Sequence, residues 1–363
     1  MKPVSFAFRG VLFGLLATSA NALDAPILST PGSATWADEV LAGGGTRTTF
    51  TITEDTVLDW NQFNLEAGNE LVFDFVGGNT VVNNLNGTSR HRINGDVTSN
   101  GIVGFFSPNA KVTVGGNITA KGVTIATLGV DSAAFASGSY ALGGGSGKRL
   151  TVSGGIQATD GDVLLAGKNV VINDTASISA SGAALFAGGE DVVISSGGIQ
   201  RVNVIGSIGN IVHNGTTNAS SAEAVAGGEI TNSGQIDVGA ARLFMEVGNG
   251  GRISNEGNGV LVGATVFNGA LLDDGIIIRP NEGDVPPLVG ESRLKVPSLK
   301  RPNGSKITKR QTVSYSAPMS ARSDAGRASK SNSRQVAKVD SSKSLLKRSS
   351  FFGARGGKTV ASR

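Results

Sequence analysis

From Thr46 to about Ile278 the chain alternates between short apolar runs and small polar or flexible residues. Thr49-Phe50-Thr51-Ile52-Thr53 and Leu71-Val72-Phe73-Asp74-Phe75 are typical, and Gly, Asn, Asp and Ser punctuate them. Period-two runs of three to five residues bounded by turn formers predict strands, and helical spacing is almost absent. Of the ten prolines, six lie at Pro280 or beyond, so the body is almost free of strand-breakers, with Pro108 its one proline.

An internal repeat narrows the architecture. Ile156–Ile172 reads IQATDGDVLLAGKNVVI and Ile178–Ile194 reads ISASGAALFAGGEDVVI. At an offset of 22, Ile156, Ala158, Gly167, Val170, Val171 and Ile172 recur identically, and Val163-Leu164 recurs as Leu185-Phe186. A further copy is expected at Ile230, Ile236 and Leu243-Phe244, which reproduces the spacing of Ile172, Ile178 and Leu185-Phe186. A period near 22 residues built from short strands suits one coil of an all-β, right-handed parallel β-helix, a solenoid. Inward side chains would stack on their equivalents above and below, while Gly and Asn take the corners. An antiparallel sandwich is the alternative, but it does not require a fixed offset. A leucine-rich repeat is excluded, since neither its L-x-x-L-x-L pattern nor its helical segments occur.

The N-terminus has a different character. Lys2 and Arg9 precede the apolar run Val11–Ala17, and Ala20-Asn21-Ala22 supplies a small-x-small cleavage pattern. These features predict a secretory signal peptide over 1–22, with Ala20 and Ala22 at the cleavage site and Leu23 as the first mature residue. A membrane anchor fits less well, because Asn21 and Asp24 interrupt the run before a span is complete.

Charge divides the remainder. Residues 23–292 hold 12 Lys and Arg against 26 Asp and Glu, whereas 293–363 hold 18 against 2. The formal net charge of +4 thus conceals an acidic body and a strongly basic, Ser-rich arm. With few apolar clusters, residues 281–363 are expected to form a disordered tail, either lying on the acidic body or binding anionic polymers outside the cell. Cys is absent, which excludes disulfides, a Cys nucleophile and Cys-ligated metal centres.

Several motifs invite catalytic readings that fail. Leu142-Gly143-Gly144-Gly145-Ser146-Gly147-Lys148-Arg149 departs from a phosphate loop at Leu142 and Arg149, and reads as a loop between coils. The acidic pairs Asp160/Asp162, Glu190/Asp191 and Asp273/Asp274 fit solvated corners. A polysaccharide-active enzyme would need three or more carboxylates with a Lys or Arg in one groove. His91 and His213 are far apart and carry no Ser/Asp pattern. No catalytic residue, metal or cofactor is expected.

Five segments, in chain order, carry a resemblance. Thr56–Leu65 reads TVLDWNQFNL, with Trp60 and Phe63; Val82–Gly87 reads VNNLNG, with Asn83 and Gly87. Ile93–Val97 reads INGDV, and Asn100–Ala110 reads NGIVGFFSPNA, including Asn100, Gly101, Ser107, Pro108, Asn109 and Ala110. Gly115–Thr127 follows, then Asp131 and Phe135. The stretch Thr46–Gly269 resembles the N-terminal secretion (TPS) domain of filamentous-haemagglutinin-type exoproteins, which leave the cell by two-partner secretion. The chain departs from that pattern at Asn84, where the family has Arg, and at Ser107 and Ala110, where it has Asn and Gly.

The resemblance implies a non-enzymatic β-helical adhesin over residues 23–280. It also implies a partner, an outer-membrane β-barrel transporter reached through the periplasm of a Gram-negative-type bacterium. Folding coil by coil at the cell surface would favour export of the emerging chain. A monomeric protein acting in surface attachment is the expected outcome. A polysaccharide-active β-helical enzyme, or a periplasmic or surface structural protein sharing the fold, are the alternatives.

Overall fold

The computed structural model describes residues 23–280 except 31, 32, 146 and 199. The expected signal peptide, with Ala20 and Ala22, and the expected tail over 281–363 lie outside the described residues. The described chain is a parallel β-helix. Successive coils stack in three ladders, which begin at Thr46–Ile52, Thr56–Trp60 and Asn64–Leu65, and from Ser177 onward one long strand per coil serves the first two ladders. The third ladder has nine strands and ends at Ala270–Asp273.

Alternation along each strand divides the apolar residues between an inner and an outer face. On the first ladder Val97, Ile118, Ile156 and Ile178 are successive register partners, all buried. On the second, Val103, Val123 and Val163 stack in the same way. These columns form one continuous inner core. Ile156 and Ile178 therefore stand one above the other, as the repeat predicts.

The rest of the repeat obeys different offsets. On the second ladder the spacing is one residue shorter, so Leu164 and Gly167 face Leu185 and Gly188. On the third, Val170–Ile172 is followed by Ile211–His213 rather than by Val192–Ile194. The strand Asp191–Ile194 instead runs antiparallel to Tyr140–Gly143 and Val202–Ile205, outside the solenoid. An alternating apolar pattern serves an internal strand and an external one equally, so it does not distinguish the two locations. The expected third copy is displaced as well. Ile236 continues the column of Ile178 and Thr217, but Ile230 falls in the column of Val170 and Leu243 in that of Ala184. Register shifts at Ala180/Ala183 and Asn218/Ala222 absorb the difference.

Two insertions, 127–148 and 189–209, build a second core on the outer face of the second ladder. Leu128, Phe135, Leu142, Val192, Ile194 and Val202 cover Phe106, Leu164 and Leu185 there. The first insertion contains a short helix, Ser132–Ala136, which the strand pattern does not predict. Asp131 caps it by accepting from the N–H groups of Ala133 and Ala134 at 2.9 and 3.3 Å. Phe135 packs between Phe106 and Tyr140, with centroids 5.1 Å from each. The stretch expected as a plain loop between coils thus begins as a strand whose Leu142 is buried.

Antiparallel strands cover the N-terminal coil. Ala34–Val40 pairs with Thr46–Ile52, and Ile27–Leu28 pairs with Leu58–Asp59. Trp36 lies over Phe50 with ring centroids 5.5 Å apart, partly closing the interior from below. An exposed run of unpaired backbone groups would otherwise invite association with other chains. At the opposite end the strand Ile276–Ile278 pairs with Val260–Val262, and Ile276 and Ile278 are half exposed.

Candidate functional site

Most motif residues of the first three coils, all but Asn100 and Gly101, meet at one corner, where the chain passes from the second ladder to the third. Trp60 ends its strand pointing inward, and its indole N–H donates to Asn83 Oδ1 at 3.0 Å. Asn83 is fully buried in the column between Leu58 and Phe105, and its amide donates to the Gly104 carbonyl at 3.1 Å. A polar side chain in an apolar column is tolerated because both its donor and its acceptor are engaged. Phe63 stands edge-on to Trp60 at 4.9 Å and packs against Phe105 at 5.6 Å.

His91 ties this cluster to the corner. The Phe63 N–H donates to its Nδ1 at 3.2 Å, which leaves Nε2–H to donate to the Gly87 carbonyl at 3.3 Å. Burial lowers the imidazole pKa, so the ring is neutral and both nitrogens are used. Gly87 is required by close approach. A Cβ there would collide with the Asn61 carbonyl one coil below, and would lie 3.2 Å from His91 Cε1.

The turn Ser107–Ala110 occupies the same corner one coil further on. Ser107 and Ala110 are buried, Pro108 is half-buried and Asn109 is exposed. The Ser107 hydroxyl donates to the Ala110 carbonyl at 3.2 Å, closing the turn in which the family has Asn and Gly. Asn109 reaches the Asn86 carbonyl at 3.5 Å. Asn84, where the family has Arg, donates to Asp59 at 3.0 Å. Asn100 and Gly101 lie elsewhere, at the corner between the first and second ladders. Asn100 Oδ1 accepts from the Phe75 N–H at 2.7 Å, and a Cβ on Gly101 would come within 2.5 Å of the Phe75 ring.

A cleft of about 260 Å³ lies between the two insertions and the solenoid wall. It brings Asp160 and Asp162 together with Lys121 and Arg201, which is one carboxylate short of the set an enzyme reading required. Asp162 is committed to structure, accepting from Arg201 at 2.6 Å and from the Ala183 N–H at 2.7 Å. Asp162 and Glu190 remain partly exposed, as expected of solvated corners, and each also holds an ion pair, Glu190 with Lys168 at 2.9 Å. Tyr140 lines the cleft with its pKa pushed up to about 12, chiefly by burial. Glu223, unremarkable in the sequence, pins the second insertion. It accepts from the N–H groups of Arg201 and Val202 at 2.9 and 3.0 Å and pairs with Arg242 at 3.2 Å. Among the described residues, no group of three or more His, Cys, Asp or Glu is placed to hold a metal ion.

No protein-family model matches the chain, and no curated protein matches it in sequence. Among solved structures, the crystal structure of the HMW1 secretion domain from Haemophilus influenzae is similar with a TM-score of 0.51. Identity is 18%, over 72% of this chain and 85% of that one. The chain shares the fold of that secretion domain. At this identity the likeness concerns the path of the backbone, and the side-chain chemistry rests on the contacts above.

The Trp60–Asn83 bond makes a testable pair. Asn83→Leu strands the indole N–H and is expected to cost about 1–3 kcal/mol. In a Trp60→Phe background no donor remains, so the same change should cost less by about 1 kcal/mol. Urea unfolding of the four proteins measures the coupling, and additive costs would contradict the bond.

Proposed function

We propose that this chain is a non-enzymatic exoprotein of the two-partner-secretion type. Residues 1–22 would direct it to the periplasm, and an outer-membrane β-barrel transporter would carry it to the surface of a Gram-negative-type cell. The observation that carries this reading is the fold shared with a secretion domain, in a chain whose motif residues other than Asn100 and Gly101 converge at one corner of the first three coils. The burial of those residues separates their roles. Trp60, Phe63, Asn83, Gly87 and Ala110 shape the folded coils, whereas Asn109 and Asn100 face solvent and are not needed for the core. A solenoid suits threading, since each emerging coil can add to an edge already formed. Absence of Cys removes any cross-link that would obstruct an extended chain.

At the surface the protein would act in attachment as a monomer. Its arm over 293–363, with 18 Lys and Arg against 2 Asp and Glu, would bind anionic polymers by counterion release.

Co-expression with and without a candidate barrel transporter tests export. The mature chain, starting at Leu23, should reach the medium or cell surface only when the transporter is present. Asn109→Ala should reduce that export severalfold while leaving the thermal midpoint within about 2 °C, the expectation for an exposed side chain. Equal release without the transporter, or retention in the periplasm with it, would favour a structural protein that merely shares the fold. Heparin chromatography addresses the arm separately. Deleting 293–363 should move elution to distinctly lower salt, and unchanged elution would contradict polyanion binding.

A further inference from the structure

We propose that the last coils of the solenoid, residues 229–278, form a separately releasable section, latched by one buried hydrogen-bond column that acid opens. The column lies on the third ladder. Its inward register partners begin as Leu65, Ile93, Val114, Val152 and Ile172. They continue as His213, Asn232, Asn255 and Asp273. This column thus changes from apolar to polar within one step, at the coil that follows the second insertion, while its neighbour on the same ladder, Ile211, Ile230, Ile253 and Leu271, stays apolar. His213, Asn232 and Asn255 are all buried.

The bonds run in one direction. The Asn232 amide nitrogen donates to Asn255 Oδ1 at 2.8 Å, and that of Asn255 donates to Asp273 Oδ1 at 3.0 Å. Asn232 Oδ1 is then the acceptor for His213, 3.0 Å away, which places the imidazole proton on Nδ1. Nε2 accepts from the Thr217 hydroxyl at 2.8 Å. A second proton would leave the Nδ1–H bond to Asn232 in place and put an N–H on Nε2, opposite the Thr217 hydroxyl that donates to the neutral ring.

A second proton on the ring would put an uncompensated charge inside the solenoid. The groups against the ring are Thr217, Asn232, its register neighbour Ile172 and the Phe186 ring at 5.8 Å. None of these is a carboxylate. Glu223 and Glu229, on the adjoining strands, are engaged by Arg242 and Arg252. Asp273 faces the column at its far end, beyond Asn232 and Asn255. Burial holds the His213 pKa down at about 4, against 6.5 for a free imidazole. The opened state therefore takes up a proton first. The latch is at full strength above pH 6.5 and weakens as pH falls from there towards 4. Coils in a solenoid are held by their neighbours, so loosening one interface frees every coil beyond it.

Hydrogen exchange on the full chain at pH 7.5 and 4.5, corrected for intrinsic rates, tests the latch. Opening of 229–278 should rise roughly fifty- to a hundredfold at pH 4.5, while 118–188 keeps its protection. His213→Gln can bond at both positions but does not titrate, and should remove most of that response. His91 is the other buried imidazole, so any acid effect around residues 85–95 should survive this change. Unchanged protection of 229–278, uniform loosening along the chain, or an intact acid response in His213→Gln would each overturn the proposal. Should the variant fail to fold, the unaltered protein still decides. The NMR titration of His213 and the loosening must share one midpoint, and different midpoints contradict the latch.

Discussion

Backbone hydrogen bonds between successive coils set strands about 4.8 Å apart, so every inward side chain must sit directly on another. That constraint shapes the molecule more than any single contact. Where the stacked side chains are Val and Ile, as at Ile118, Ile156 and Ile178, the column closes without special provision. Where one is polar, its hydrogen bonds must be met within the interior. Asn83 meets them through Trp60 and Gly104, and the column that starts at His213 does so by passing donors from coil to coil. Neither arrangement survives a slip of register, so each fixes the alignment of the coils it joins.

The outer face is under a looser rule. Residues that alternate outward on the second ladder are apolar through several coils, and they would be exposed without the two insertions. The insertions cover them with a short helix and an antiparallel sheet, and Glu223 and the Arg201–Asp162 pair hold the cover in place. A solenoid tolerates such additions because a loop leaving one corner does not disturb the ladders. The cleft under the cover follows from this arrangement, and the residues around it serve structure first.

The stacking of Ile156 on Ile178 was legible because Ile156 and Ala158 recur as Ile178 and Ala180 at the same offset as Val170–Ile172. Val192–Ile194 misleads for the same reason. It repeats Val170–Ile172 letter for letter, yet an external strand obeys the same alternation, and only the long-range pairing with Tyr140–Gly143 reveals its place. The five-residue helix is too short to show a period, although Asp131 as its cap is a usable signal. Motif resemblance singled out Trp60 and Asn83 without indicating that they bond to each other across 23 residues. The polar column was hidden more deeply. Asn232 and Asn255 close their strands and read as corner residues, and only the register turns them inward.

The export reading depends on these coils adding one to the next in a single register, and on the second insertion leaving the solenoid before Asn210 resumes it. Because the chain has no Cys, nitroxide labels can be placed at chosen pairs without background. The most direct measurement compares labels at 171 and 212, which are register partners, with labels at 171 and 193, which match only by the sequence repeat. The 171/212 pair should show strong spin–spin interaction at a spacing of about 5 Å, and the 171/193 pair should not. The opposite result would place Asp191–Ile194 inside the solenoid and contradict the account.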